Sequence, residues 1–187
     1  MQRVRLNGLV KNWKSYIFCL VLCLLVIIDQ FTKLYFHANF TEGETIVIIP
    51  DFFSFTLHFN EGAAWSFLAN KDWGQIFFKI LTPVVLCLFF VYYVFTAKKS
   101  KWARTSLILV FAGTIGNFID RICFSYVVDF LSFKLWNIDF STFSLYRFYF
   151  PVFNLADSFL VVGMIMLIIH LLFLDKDAIF RFKKNAK

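Results

Sequence analysis

The chain has 187 residues, of which 60% are hydrophobic, 21% aromatic and 17% charged, with a formal net charge of +7 and a mean hydropathy of +0.71. That composition excludes an ordinary soluble domain and fits an α-helical integral membrane protein. Thirteen of the 19 Lys and Arg fall into three clusters (Arg3, Arg5, Lys11, Lys14; Lys98, Lys99, Lys101, Arg104; Lys176, Arg181, Lys183, Lys184, Lys187), each against the end of an apolar stretch. This is the pattern of cytoplasmic flanks rather than of a nucleic-acid patch, so no nucleic-acid partner is expected.

The first predicted element is a span from Ser15 to Phe36, "SYIFCLVLCLLVIIDQFTKLYF". Its basic start resembles a signal peptide, but no small-residue cleavage site follows, and a retained span is expected. Next, "FSFTLHFN" (Phe53 to Asn60) alternates apolar Phe53, Phe55, Leu57 and Phe59 with polar Ser54, Thr56, His58 and Asn60. The alternation predicts a half-buried strand, and Thr45 to Pro50 can pair with it as a small sheet leaning on the helices or the bilayer. Further spans follow over about Ile76 to Thr96, Trp102 to Ile119 and Pro151 to Leu174. Each is near the ~20 helical residues that cross ~30 Å of hydrocarbon. The segment from Asp120 to Phe150 is aromatic-rich and reads as irregular.

With the basic clusters inside, both termini are expected to be cytoplasmic, and segments 37–75 and 120–150 to be extracytoplasmic, on the far face of the membrane. Trp13, Tyr16, Tyr92, Tyr93 and Trp102 then mark the inner interface, and Tyr35 and Trp73 the outer one. Cys19, Cys23 and Cys87 sit in apolar runs as small hydrophobes, while Cys123 can face outside. No Cys-x-x-Cys or His-Glu-x-x-His occurs, and His37, His58 and His170 are isolated, so neither a metal site nor a cofactor is expected.

Polar residues on the spans gather at one depth. Asp29 lies ~22 Å along the first span, counted from Lys14 at 1.5 Å per residue, and Lys33 follows one helical turn later on the same face. Asn117 and Asp120 fall ~24–28 Å beyond Lys101, and Asn154 and Asp157 open the fourth span. All converge on the outer membrane boundary. Asp29 with Lys33, and Asp120 with Arg121, read most simply as ion pairs that orient helices, and Lys79 as a snorkelling residue. Asn117 or Asn154 alone reads as interhelical glue. Asp129, in "SYVVDFLSF", and Asp157 have no basic neighbour within reach along the chain. Acids left unpaired in a low dielectric have raised pKa values, and two brought together share a proton, which marks a candidate site.

Five stretches occur in order: "DQFTKLYF" (Asp29 to Phe36), "NEGAAWSFL" (Asn60 to Leu68), "GNFIDR" (Gly116 to Arg121), "VVDF" (Val127 to Phe130) and "FNLADS" (Phe153 to Ser158). Together they closely resemble the motif set of the lipoprotein signal peptidases, or signal peptidase II. The resemblance implies a single peptidase domain over 1–187: four transmembrane helices with a small extracytoplasmic β-sheet and loop in a bacterial inner membrane. It implies an aspartic endopeptidase whose catalytic residues are Asp129 and Asp157. Asn60, Gly62, Asn117, Asp120, Arg121, Asn154 and Ala156 match positions that support the site or bind substrate, and Asp29 and Lys33 match a motif that is mainly structural. The implied substrates are diacylglyceryl-modified prolipoproteins, cut just before the lipidated cysteine, with membrane lipid as surroundings and a monomer as the working unit. Trp65 and Phe67 are candidate contacts for the acyl chains. The stretch from Phe130 to Ala156 reads as an extended outer loop relative to the family. Two other readings are a Ser–Lys signal peptidase using Ser66 and Lys79, and a small transporter or accessory subunit with an Asp129–Asp157 proton relay.

Overall fold

The computed structural model describes residues 2–62, 74–95, 100–134 and 150–175. Among the described residues, four helices long and apolar enough to cross a membrane cover Tyr16–Asn39, Ile76–Phe95, Lys101–Cys123 and Leu155–Leu174. In chain order the elements are α1 (Gln2–Asn39), β1 (Thr45–Ile49), β2 (Phe53–Asn60), α2 (Gly74–Phe95), α3 (Lys101–Cys123), β3 (Val127–Phe133) and α4 (Leu155–Ile169), the last continued by a π-helical turn over His170–Leu174. Three boundaries differ from the expectation. Helix α1 runs 38 residues through the basic N-terminal stretch, and α3 continues to Cys123. The segment Pro151 to Asn154 is not helical: Phe153 bridges to Leu131, and Asn154 is the N-cap of α4.

Helix α3 is the hub. Its buried face includes Ala103, Ser106, Leu107, Val110, Phe111, Gly113, Gly116 and Asn117. Small residues let α4 approach closely, as is usual where lipid removes the hydrophobic drive for helix association. A Cβ on Gly113 would collide with the Ala156 carbonyl oxygen, and one on Gly163 would come 2.8 Å from Ser106 O and Val110 N. Away from the sheet, Phe18, Ala103, Leu107, Ile108, Phe111 and Leu167 form one apolar core, and Tyr92 and Tyr93 pack against it. Tyr93 lies 4.6 Å from the Phe18 ring, so both tyrosines take part in this packing.

The sheet has three strands in the order β1-β2-β3, all antiparallel. Strand β3 falls in the stretch expected to be irregular. Its Val127, Val128, Asp129 and Phe130 are all buried. A strand covered on both faces shows no alternation, which is why periodicity does not reveal it. The alternation of β2 holds in part: Phe55, Leu57 and Phe59 join Phe36, Val128 and Phe130 in a second core under the sheet, and His58 stands exposed opposite Asp129. Ser54, expected on the polar face, is however buried and Phe53 only half-buried, ahead of a break in the β2–β3 register between Phe55 and His58. On the other edge of β3, the amides of Phe130 and Leu131 both donate to Phe153 O, at 3.0 and 2.7 Å. That double bond clamps the strand carrying Asp129 to the residue just ahead of α4. Trp65, Ser66, Phe67, Trp73, Thr96 and residues 135–149 lie outside the described residues.

Candidate active site

The polar residues that the sequence places at one depth meet where α1, α3, β3 and the start of α4 converge. Asp29, Asp120, Asp129 and Asn154 are each no more than 1% exposed. Buried polar groups need partners, and these residues supply them to one another.

Asp129 lies on β3 and accepts two amides: Asn60 Nδ2 at 2.9 Å on Oδ2 and Asn154 Nδ2 at 2.7 Å on Oδ1. Asp157 is the N3 residue of α4. Its Oδ2 accepts the backbone N–H of Asn154 at 3.1 Å, and its Oδ1 accepts Asn117 Nδ2 at 2.7 Å. Asn154 returns the bond, its Oδ1 accepting the N–H of Asp157 at 2.9 Å. This is a reciprocal capping box, normally a device for starting a helix. Here Asn154 also reaches Asp129, so one N-cap residue holds both carboxyl groups.

The amide orientations follow from what pins each oxygen. Asn60 Oδ1 accepts Gly62 N at 3.0 Å, Asn154 Oδ1 accepts Asp157 N, and Asn117 Oδ1 accepts both Lys33 Nζ at 2.9 Å and Asn154 Nδ2 at 3.1 Å. Each NH2 is thereby delivered to a carboxyl group. Among the described residues no Lys or Arg forms an ion pair with Asp129 or Asp157. Burial, and after it the negative charge of Asp157, push the Asp129 carboxyl from its usual 3.8 up to about 7, against the pull of the Asn60 and Asn154 amides and of Lys33. A carboxyl that keeps its proton near neutrality beside a second carboxyl can serve as the acid of an acid–base pair.

Around this pair stands a supporting layer. Lys33 bridges Asp29 Oδ2 at 3.0 Å and Asp120 Oδ2 at 3.1 Å. Asp29 Oδ1 accepts Ala156 N at 2.9 Å, satisfying an orphan N–H of the first turn of α4. Asp120 Oδ2 accepts Val128 N at 3.1 Å, fixing β3 next to Asp129. The expected Asp29–Lys33 pair is therefore present, but an Asp120–Arg121 pair is not. Consecutive helical residues do not face each other. Arg121 instead donates to Gly62 O at 3.2 Å and Asn117 O at 3.4 Å and lies 5.1 Å over the Phe78 ring. In this way it ties the turn after β2 to α3. Lys79, expected to snorkel, donates to Ser125 Oγ at 3.2 Å.

Gln30 is a site residue that the sequence reading misses. Its Nε2 lies 2.9 Å from Asp120 Oδ1, 3.0 Å from Gly116 O and 3.2 Å from Asp29 Oδ2. The only signal it offered was an amide at membrane depth beside Asp29. Gly116 is required by closeness, since a Cβ there would collide with Asp29 Oδ2.

Known proteins resemble this chain over most of its length. The chain is 41% identical over 145 residues to the lipoprotein signal peptidase of Pseudomonas putida, covering 77% of this chain and 80% of that one. It is 41% identical over 162 residues to the lipoprotein signal peptidase of Enterococcus faecalis, covering 87% and 91%. A solved structure described as a bacterial membrane enzyme determined by the in meso method at 2.3 Å superimposes with a TM-score of 0.75 at 35% identity, covering 91% of this chain and 94% of that one. The pattern of the family described as "Signal peptidase (SPase) II" matches residues 21–173, and the chain therefore belongs to the signal peptidase II family of peptidases.

Proposed function

We propose that this peptidase, whose family removes signal peptides from prolipoproteins, cuts by an aspartic mechanism with Asp129 and Asp157 as its two catalytic groups. The observation that carries the reading is that two carboxyl groups, on β3 and at the start of α4, which have no ion-pair partner among the described residues, are joined through the single residue Asn154. Asp129, the carboxyl pushed up to about 7, keeps its proton and hydrogen-bonds the scissile carbonyl. Asp157 takes a proton from the attacking water as a new C–O bond forms. The tetrahedral intermediate then collapses, the C–N bond breaks and the leaving amine receives the proton that Asp157 took from the water, which returns the pair to its starting state.

The substrates in this reading are prolipoproteins already carrying a diacylglyceryl group, cut just before the lipidated cysteine. The sheet and the site stand at the outer face of the inner membrane, both termini are cytoplasmic, and one copy of residues 1–187 is the working unit. The basic flanks of the spans support that orientation. A site at the boundary lets water enter from outside while the acyl chains stay in the bilayer, where their apolar burial anchors the substrate. Asn60, Gly62, Asn117, Asp120, Arg121, Asn154 and Ala156 support the pair, as their bonding suggests.

Cleavage of one purified prolipoprotein, with and without its diacylglyceryl group, tests the substrate assignment. Gel mobility should show signal-peptide release from the lipidated form alone, and equal cleavage of both forms contradicts it. Orientation is tested at Cys123, a free, exposed thiol at the end of α3. A membrane-impermeant maleimide added to spheroplasts should label it, and protection until lysis contradicts the assigned topology.

A further inference from the structure

Lys33 sits on a membrane-spanning helix yet is only 2% exposed. Its ammonium has three N–H donors, and three acceptors lie within reach: Asp29 Oδ2 at 3.0 Å, Asp120 Oδ2 at 3.1 Å and Asn117 Oδ1 at 2.9 Å. The two carboxylates account for a helix-orienting ion pair. The third bond has a separate consequence.

A primary amide accepts at one end and donates at the other. Asn117 Oδ1 is held by Lys33 and by Asn154 Nδ2, which leaves Asn117 Nδ2 on Asp157 Oδ1 at 2.7 Å. Rotating the amide by half a turn would set its NH2 against the Lys33 ammonium and the Asn154 NH2. It would also turn an oxygen toward the Asp157 carboxylate. Lys33 therefore joins Asn154 Nδ2 and the Asp157 carboxylate in selecting the orientation in which Asn117 donates to Asp157, and it is the cationic member of that set. Without that donation, Oδ1 of Asp157 loses its side-chain tether and the carboxyl group is held only through Oδ2, by the Asn154 backbone.

We propose that Lys33 is a positioning residue for peptide-bond cleavage: by locking the Asn117 amide, it fixes the orientation in which Asp157 faces the reacting centre. This rests on the reading of Asp129 and Asp157 as the catalytic pair, and it gives the Asp29–Lys33 motif a role beyond helix packing. Lys33 also pairs with Asp29 and Asp120, which hold Ala156 N and Val128 N; its hydrogen-bonded link to one of the two carboxyl groups runs through Asn117.

The test is steady-state cleavage by the K33M/D29N double variant. The pair of changes removes one charge of each sign and leaves the net charge of the cluster unaltered, while the amide that replaces the Asp29 carboxyl keeps an oxygen for the Ala156 N–H. The expected result is kcat per folded molecule lower by about 10- to 100-fold, with KM within about twofold of wild type, because binding is intact and alignment is lost. Circular dichroism and thermal unfolding give the folded fraction. A merely structural role predicts activity that falls only with that fraction. Unchanged kcat per folded molecule, or a rise in KM alone, overturns the proposal. If K33M/D29N does not fold, K33L/D29N, which likewise carries no donor for Asn117 Oδ1, replaces it, and the same two outcomes decide. D129N and D157N are assayed in parallel. If either one cleaves normally, the catalytic pair is wrong. If both are inactive while the Lys33 variant matches wild type, the positioning role alone is wrong.

Discussion

Replacing Asp129 by Asn should make the protein more stable at alkaline pH. The Asp129 carboxyl is pushed from 3.8 to about 7 in the folded protein, so the folded state holds a proton that the unfolded chain releases. A group with a raised folded pKa contributes stability that is complete below its unfolded value and is lost as pH rises through the folded one. The gap from 3.8 to about 7 is roughly three units, worth about 4 kcal/mol at most at about 1.4 kcal/mol per unit. Between pH 5 and pH 8 the portion lost is about 3 kcal/mol, because only the roughly two units from 5 to 7 lie between the pKa values. Asn carries no titrating proton and escapes that loss. It has its own cost: both oxygens of Asp129 accept NH2 groups, so an Asn must turn its NH2 toward one of them, a mismatch costing about 1–3 kcal/mol. The variant should thus be no more stable than wild type at pH 5, and should gain on it by about 3 kcal/mol on going to pH 8. Denaturant unfolding in micelles at pH 5, 6, 7 and 8, followed by circular dichroism, measures this directly. Parallel stability curves for the two proteins would refute the reasoning, since they would mean that Asp129 is ionised throughout. Asp157→Asn removes one cause of the raised value and should flatten the wild-type slope.

Three further outcomes follow from packing and capping. Gly163→Ala places a Cβ 2.8 Å from Ser106 O and Val110 N, so it should force α3 and α4 apart at a cost of about 1–3 kcal/mol, read as a lowered unfolding midpoint. Leu57 is fully buried beneath the sheet, and Leu57→Ala should cost about 2–5 kcal/mol by the same assay. Asn154→Ala removes the cap of α4, worth about 0.5–2 kcal/mol. It also removes one of the two amides on Asp129, while Asp157 keeps the backbone N–H of residue 154 and the Asn117 amide, so cleavage should fall far more than stability does; a proportionate fall contradicts a role for the Asn154 amide in holding Asp129.

What the sequence makes legible depends on the range of the interaction. The four spans come from local hydrophobicity, and the Asp29–Lys33 pair from a spacing of four on one helix face; both are present. Alternation in "FSFTLHFN" likewise places Phe55, Leu57 and Phe59 in the core. Strand β3 is buried on both faces and paired with β2 from far along the chain, so no local pattern marks it. The partner of Asp120 is illegible for a related reason. Neighbouring Arg121 is the obvious cation by sequence, but the bundle brings in Lys33 from α1 instead. Gln30 is passed over because an uncharged amide in a span carries no periodic signal, although it bonds to both buried carboxylates. Asp129 and Asp157 are singled out by their lack of nearby cations in the sequence. Only the fold shows that Asn154 links them.

The central claim, that Asp129 and Asp157 are the two groups that cut the peptide bond, is tested most directly by signal-peptide release from a diacylglyceryl-modified prolipoprotein by D129N and D157N, each first shown to be folded. Each variant should show no release under conditions in which the wild-type protein completes the reaction. Near-normal release by either one contradicts the claim.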